Sequence, residues 1–196
     1  MRVKNIAEQL SAWFIDSSSS TASWSASDRA VAQDEVDRLR EAVWLSLRGG
    51  TMLASDLISL ERGVGSPCPT DELGVFAAKD AVEQIIAGGK TARILGIEHQ
   101  GGSVSALFEE AWPLHAQRLT GNIYITPPKQ AGSVAHTDPM DVLILQLEGE
   151  KLWTIAGTPV LSLPGSVVRM RAGVQHEARG GASQSMHLTF SVTSST

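Results

Sequence analysis

The sequence predicts a mainly β protein, a jelly-roll barrel dressed by N-terminal helices, on three observations. From Thr91 onward the chain is a series of short segments rich in β-branched residues: TARILGIE, NIYIT, DVLILQL, KLWTI, PVLSL, SVVRMRA, VQHEA and SMHLTFSV. Gly and Pro signals separate them (TG, PP, EGE, AGTP, PG, AG, RGGAS), a spacing that suits an antiparallel sandwich or barrel better than a βαβ sheet. Before Thr91 the grammar is helical, with apolar residues three or four apart. Residues 1–90 are therefore expected to form a helical region packed on a jelly-roll core of residues 91–196, the two making one structural domain. A chain of 196 residues is long enough for a sizeable core.

Each helical stretch has its own signals. In SDRAVAQDEVDRLREAVWLSLRGG, Ser27 or Asp28 is placed to cap, Val36, Leu39, Val43 and Leu47 make one apolar stripe, and Gly49 and Gly50 end the helix. TDELGVFAAKDAVEQIIAGG reads as two short helices ending at Gly88 and Gly89. SVSALFEEAWPLHAQRL reads as a third helical stretch, kinked or divided at Pro113. SSSSTASWSAS, from Ser17 to Ser27, is a small-residue linker in which Trp24 marks a part that docks on the core.

Charge and cysteine content narrow the function. Sixteen basic and 21 acidic residues give a net charge of −5 with no basic block, which argues against nucleic-acid and membrane-surface partners. The single cysteine, Cys68, rules out an internal disulfide framework and a thiolate zinc cluster, and fits a reducing cytoplasm. No segment reads as a secretory signal, and none approaches the roughly 20 apolar residues of a membrane span. The expectation is a soluble, cytoplasmic protein.

The histidines point to a metal. His136 stands two residues before Asp138 in GSVAHTDPM, and in an extended strand residues i and i+2 share a face. His176, in RAGVQHEA, lies on a later strand candidate that a jelly roll can bring alongside. Two imidazoles and one carboxylate make the facial triad that holds Fe(II) with positions left open. A surface His/Asp pair is the plain alternative for the H-x-D alone. His99 reads as a loop residue and His115 as helical, while His187 is placed to orient a ligand or cosubstrate. Trp112 and Trp153 read as packing residues.

GNIYITPP, HTD, LILQLEGEKLW, LPGSVVRMRAGVQHEA and MHLTFSV, taken in order, resemble the JmjC-type 2-oxoglutarate oxygenases. The resemblance runs from about Asp80 to Val192 and is strongest to the ribosomal oxygenases, which hydroxylate histidine or arginine side chains of proteins. It implies a double-stranded β-helix of cupin-like type, with Fe(II), and 2-oxoglutarate and O2 as cosubstrates. It further implies that His136, Asp138 and His176 are the catalytic iron ligands and that Lys151 pairs with the distal carboxylate of 2-oxoglutarate. Ser133 matches a hydroxyl position used for the same carboxylate, and Asn122 and Tyr124 match a strand lining the pocket. The plainer readings are a solvent-facing Lys151 and a core Tyr124.

The chain also departs from that branch. AGT stands where a long insertion is usual, Ser166 where the family has an acid, and Thr137 where it has an aromatic residue. The sequence stops at Thr196, so the dimerisation helices and winged-helix-like domain of the ribosomal oxygenases are expected to be absent, and a homodimer is left open. The resulting expectation is an oxygenase that hydroxylates a side chain of a peptide or protein, releasing succinate and CO2. The histidine β-carbon is the first guess. A metal cupin that uses no 2-oxoglutarate and a noncatalytic jelly-roll binding module are the alternatives.

Overall fold

The computed structural model describes residues 23–49, 51–53, 56–68, 75–99 and 119–192. Its elements are β1 (Trp24–Ser27), α1 (Gln33–Gly49), β2 (Thr51–Leu53), β3 (Leu57–Glu61), β4 (Val64–Pro67), β5 (Val75–Ala77) and α2 (Ala78–Ala87). There follow β6 (Thr91–Leu95), a 3-10 turn (Ile97–His99), β7 (Leu119–Thr126), β8 (Ala131–His136), β9 (Asp141–Glu148) and β10 (Lys151–Ile155). The chain continues through β11 (Thr158–Ser162), β12 (Val167–Met170), β13 (His176–Gly180) and β14 (Ser185–Val192).

The strands form an eight-stranded sheet in the order β1-β12-β9-β14-β7-β6-β3-β4, a four-stranded sheet in the order β11-β10-β13-β8, and the small pair β2-β5. The two larger sheets make an open jelly-roll sandwich: among the described residues they do not close into a continuous barrel. The hairpin turn between β3 and β4 approaches β8 across the gap, and a Cβ on Gly63 would lie 3.5 Å from the Val134 nitrogen.

The large sheet is covered on both faces, which explains why DVLILQL is an unbroken apolar run rather than an alternating one. Leu143, Leu145 and Leu147 of β9 join a core with the α1 stripe, with Val82 and Ile85 of α2, and with Ile94, Ile125 and Phe190. Val142 and Ile144 face the other way, toward the four-stranded sheet, with Trp153, Ile155, Val168 and Met170. Helix α2 closes in a Schellman turn: Lys90 N–H donates to Ile85 O at 3.1 Å, Gly89 N–H donates to Ile86 O at 2.9 Å, and Gly89 has φ +73°. That turn launches β6.

The strand β14 shows how the fold makes room for a site. Met186, Leu188 and Phe190 go to the helix-covered core, so the alternating Ser185, His187, Thr189 and Ser191 face the sheet-to-sheet interior. Thr126 pairs with Ser185, Tyr124 with His187 and Asn122 with Thr189 on the neighbouring β7. The sandwich interior is thus apolar at one end and polar at the other.

Several expectations change. Ser27 does not cap the first helix but ends β1, paired with Val167, and α1 starts at Gln33 with Val36 N–H donating to Ala32 O at 3.0 Å. Trp24 does dock, packing against the inter-sheet core. Where two short helices were expected, the described residues hold β5 and then the single helix α2. The region before residue 90, expected to be helical, also supplies β1, β3 and β4 to the large sheet. The third helical stretch, with Trp112, Pro113 and His115, lies outside the described residues.

The turn from β9 to β10 depends on Gly149, which has φ +60° and leaves no space for a side chain, because a Cβ there would overlap the carbonyl oxygen of Gln184. Gln146 Nε2, buried beneath the turn, donates to Glu148 O at 2.7 Å. Gly149→Ala is expected to lower unfolding stability by about 2–4 kcal/mol, combining left-handed backbone strain with forced movement of Gln184. Urea denaturation checks this, and a loss under about 0.5 kcal/mol contradicts it.

Candidate functional site

His136 and His176 face each other as direct register partners on β8 and β13. Their rings lie 4.3 Å apart between centroids. Asp138 joins them: its Oδ1 is 3.8 Å from His136 Nε2 and its Oδ2 is 3.5 Å from His176 Nε2. One donor atom from each residue lies within 4.8 Å of the others. Asp138 does not share a strand with His136, as the sequence suggested. The strand β8 ends at His136, and Asp138 lies in the following loop, where Gly173 N–H donates to its carbonyl at 2.9 Å.

Both imidazoles are held in one tautomer. His136 Nδ1 donates to Val134 O at 2.9 Å and His176 Nδ1 donates to Val174 O at 3.0 Å. A carbonyl can only accept, so each ring carries a proton on Nδ1 and turns its Nε2 toward Asp138. Burial, ahead of the charge on His136, holds His176 below the ordinary imidazole range, partly offset by its backbone bond and by Asp138. The loop before His176 is pinned by Asp141, which accepts from Arg171 Nη1 at 2.7 Å and from Ala172 N–H at 2.9 Å. Two imidazole Nε2 atoms and a carboxylate suit a borderline divalent cation such as Fe(II).

A cavity of about 330 Å³ runs from this cluster into the polar half of the sandwich. At its inner end Lys151, only 1% exposed, donates to Thr126 Oγ1 at 2.6 Å. Thr126 Oγ1 also accepts from Thr91 Oγ1 at 3.1 Å. The ammonium rests on Gly132, where a Cβ would come within 2.8 Å of Nζ, beside Ser133. Among the described residues no carboxylate pairs with Lys151, and burial pushes its pKa down to about 7. A strand register of four residues separates the Lys151 level from the His176 level on β13, roughly 13 Å at the usual rise.

Tyr124 and His187 form the floor, stacked at 4.9 Å with 6° between their planes, and Trp153 meets His187 edge-on at 5.5 Å. Burial first, then the charge of Lys151, keeps the His187 imidazole neutral, with its pKa well below the usual range. Burial likewise raises the Tyr124 phenol, partly offset by Arg93. Three buried polar atoms on the cavity wall have no protein partner: Arg93 Nε, Trp153 Nε1 and His187 Nδ1. Such orphans inside a cavity fit a polar ligand.

Of the residues expected in the site, His136, Asp138, His176, Lys151, Ser133 and Tyr124 line the same cavity. Lys151 is not the solvent-facing lysine of the plainer reading. Asn122 is not among the lining residues: with its amide oriented to satisfy its neighbours, Oδ1 accepts from Arg93 Nη2 at 3.2 Å and Nδ2 donates to Gly121 O at 3.0 Å. Its place is behind Arg93. The sequence reading missed Thr91, Arg93 and Thr126, for which the available signal was polar residues at alternate positions of otherwise apolar strands.

The JmjC domain family model matches residues 106–164, a span that includes His136, Asp138 and Lys151 but not His176. Over that span the chain is similar to the JmjC domain family. Human ribosomal oxygenase 1 is 31% identical over 96 aligned positions, which cover 36% of this chain and 15% of the relative. The bifunctional lysine-specific demethylase and histidyl-hydroxylase NO66 of Aedes aegypti is 30% identical over 101 positions, covering 38% and 16%. Among solved structures, the Escherichia coli ribosomal oxygenase YcfD aligns over 93% of this chain and 51% of its own, with TM-score 0.59 and 14% identity. Its complex with cobalt and 2-oxoglutarate aligns over 88% and 48%, with TM-score 0.58 and 16% identity. At that identity the structural likeness is one of fold. The chain spans about one sixth of the length of the curated relatives and about half of the solved ones.

The lysine of this pocket, which has no carboxylate partner among the described residues, has a signed effect on stability. Its folded pKa of about 7 lies below the unfolded value of about 10.4. Between those values the unfolded chain holds the proton and the folded chain does not, so the Lys151 contribution to stability rises with pH across that window. The penalty is complete below about pH 7. Without ligands, Lys151→Met is expected to be more stable than the unsubstituted protein by at least about 2 kcal/mol at pH 6.5. The difference shrinks toward pH 10. Denaturant titrations of both proteins at several pH values check this, and a variant that is less stable at pH 6.5 contradicts it.

Proposed function

We propose that this chain is an Fe(II)- and 2-oxoglutarate-dependent oxygenase that hydroxylates a side chain of a peptide or protein. One observation carries the reading. A cluster of two imidazoles and a carboxylate and a buried, anion-free lysine occupy opposite ends of a single cavity. A 2-oxo acid with a second carboxylate answers both ends. When bound, Fe(II) with 2-oxoglutarate activates O2, converting both cosubstrates to succinate and CO2 with one oxygen atom inserted into a substrate C–H bond.

The chain's own residues bind, orient and exclude water. His136, Asp138 and His176 would hold the metal, the two rings being oriented by the bonds of their Nδ1 atoms to Val134 O and Val174 O. Lys151 pairs with the distal carboxylate, with Thr126 and Ser133 beside it, and regains its proton as that negative charge arrives. Tyr124, Trp153 and His187 wall the cosubstrate off from water. The substrate enters at the exposed His136 and Asp138 side, their side chains being 41% and 36% accessible. Relatives named as histidyl-hydroxylases support the histidine β-carbon as the first target to try. The reading goes with a single domain, residues 1–90 packed on residues 91–196, acting in the cytoplasm.

The lysine also weighs against a metal cupin that uses no 2-oxoglutarate, which has no reason to bury a cation far from its metal. Anaerobic titration of 2-oxoglutarate into the Fe(II) protein, followed by its metal-to-ligand charge-transfer band, tests the assignment. Lys151→Ala is expected to weaken 2-oxoglutarate binding by about two to three orders of magnitude, since breaking a buried charge pair costs about 3–5 kcal/mol. Fe(II) affinity should barely change. In His136→Ala, Asp138→Ala and His176→Ala, Fe(II) binding and 2-oxoglutarate-dependent succinate formation should be lost while circular dichroism stays native. A wild-type titration curve for Lys151→Ala defeats the pairing, and near-normal iron occupancy in any of the three others removes that residue from the metal site.

A further inference from the structure

The reaction just proposed uses every cation of the cavity except Arg93. This residue sits on β6, two positions after Thr91, and so lies about 7 Å along the strand from the Lys151 level, on the same face. Its guanidinium carbon stands 5.4 Å from the centre of the Tyr124 ring. Asn122 accepts from Nη2 on the far side. The guanidinium is therefore held in place by a stacked ring and an amide, while its Nε is buried on the cavity wall with no partner. Among the described residues no carboxylate pairs with Arg93. An arginine fixed in this way presents a rigid fork to a planar anion.

Its position relative to the opening matters as much. In the large sheet, β6 is the strand next to β3 and β4, and Leu60 and Gly63 of that hairpin line the same cavity as Arg93. Ser133 and Val134 of β8 line it from the other sheet. Arg93 thus lines the cavity from the large sheet, beside the β3-β4 hairpin.

Charge balance supplies the second argument, and it rests on the function proposed above. A divalent metal, Asp138, Lys151, Arg93 and a dianionic cosubstrate together leave one positive charge over in the cavity. The bound state is short of one anion, and the cosubstrate has no carboxylate left to give it. From the fixed guanidinium, its orphaned Nε and this surplus, we infer that Arg93 binds a carboxylate of the substrate, and that the substrate is an acidic peptide. The carboxylate is either an Asp or Glu side chain near the oxidised position or the peptide's own C-terminus. Both offer the same planar, bidentate acceptor. A strongly basic peptide is disfavoured by the same charge count.

The test uses the full chain loaded with Mn(II), which leaves 2-oxoglutarate unconsumed, and two randomised acetylated hexapeptide libraries, one C-terminally amidated and one with free carboxylates. Retained peptides are read by mass spectrometry. The expected result is enrichment of about tenfold or more either for Asp and Glu at one position of the amidated library or for the free-carboxylate library as a whole. The first outcome assigns the carboxylate to a side chain and the second to the C-terminus. Arg93→Gln should abolish the enrichment while changing 2-oxoglutarate affinity less than about threefold, and Arg93→Lys should keep part of it. Enrichment of Lys or Arg, absence of any charge preference, or a preference that survives in Arg93→Gln overturns the inference. A large loss of 2-oxoglutarate affinity in Arg93→Gln also overturns it, by making Arg93 a cosubstrate anchor. If the unsubstituted protein binds no 2-oxoglutarate, the proposed function fails first and this inference falls with it.

Discussion

A β sandwich that buries a lysine without an anion carries a standing electrostatic penalty, and the arrangement around Lys151 follows from it. The side chain is 1% exposed, its ammonium meets one threonine hydroxyl, and its pKa sits at about 7. A solvent-facing orientation was open to it on a strand that begins just after a turn. Packed inward, it disfavours the ligand-free protein and favours whatever brings a carboxylate to the bottom of the cavity. The donor cluster at the other end has the opposite bias, with two imidazole nitrogens and a carboxylate gathered at one point. One end asks for an anion and the other for a cation, and the chelating dicarboxylate of the proposed reaction would join them.

The polar interior is tolerable because the fold places its main core elsewhere. Helices α1 and α2 cover the outer face of the eight-stranded sheet, and that cluster holds Leu143, Leu145, Leu188 and Phe190 together with the helix stripe. A jelly roll without such cover has to draw its stability from the space between its sheets. Here only half of that space is apolar, around Trp153, Ile155 and Met170. The other half is free to hold threonines, serines, a tyrosine, a histidine and two cations. The geometry of the site thus depends on an apolar face that never touches it.

Much of this was legible in the chain. The strands after Thr91 followed from β-branched segments between Gly and Pro signals, and the α1 stripe from its periodicity, because both patterns record burial directly. The positions of His136, Asp138, His176 and Lys151 followed from a multi-motif resemblance, whereas periodicity alone left each of them with a plain alternative. What was missed has physical reasons. TASWSAS and LISLERGVGSP carry too few apolar residues to declare strands, since β1 and β4 sit at sheet edges, β4 fully exposed and β1 half so. Asp138 lies in a loop, which strand alternation does not describe. Arg93 was hidden because TARIL shows one charged residue in an apolar run, and a sequence does not say whether such a residue points to water or into a cavity. Asn122 was assigned to the cosubstrate from a motif whose strand is right but whose amide turns to Arg93.

The most direct test of the account is proton counting. At pH 8.5 a lysine with a pKa of about 7 is neutral in the Fe(II)-loaded protein, and pairing with the distal carboxylate of 2-oxoglutarate should restore its charge. Isothermal titration of 2-oxoglutarate into the anaerobic Fe(II) protein, repeated in buffers of different ionisation enthalpy, measures the protons exchanged. The account predicts an uptake close to one proton per 2-oxoglutarate bound at pH 8.5, falling toward zero near pH 6. Tight binding with no proton uptake at pH 8.5 would contradict it, because the carboxylate would then lie away from Lys151.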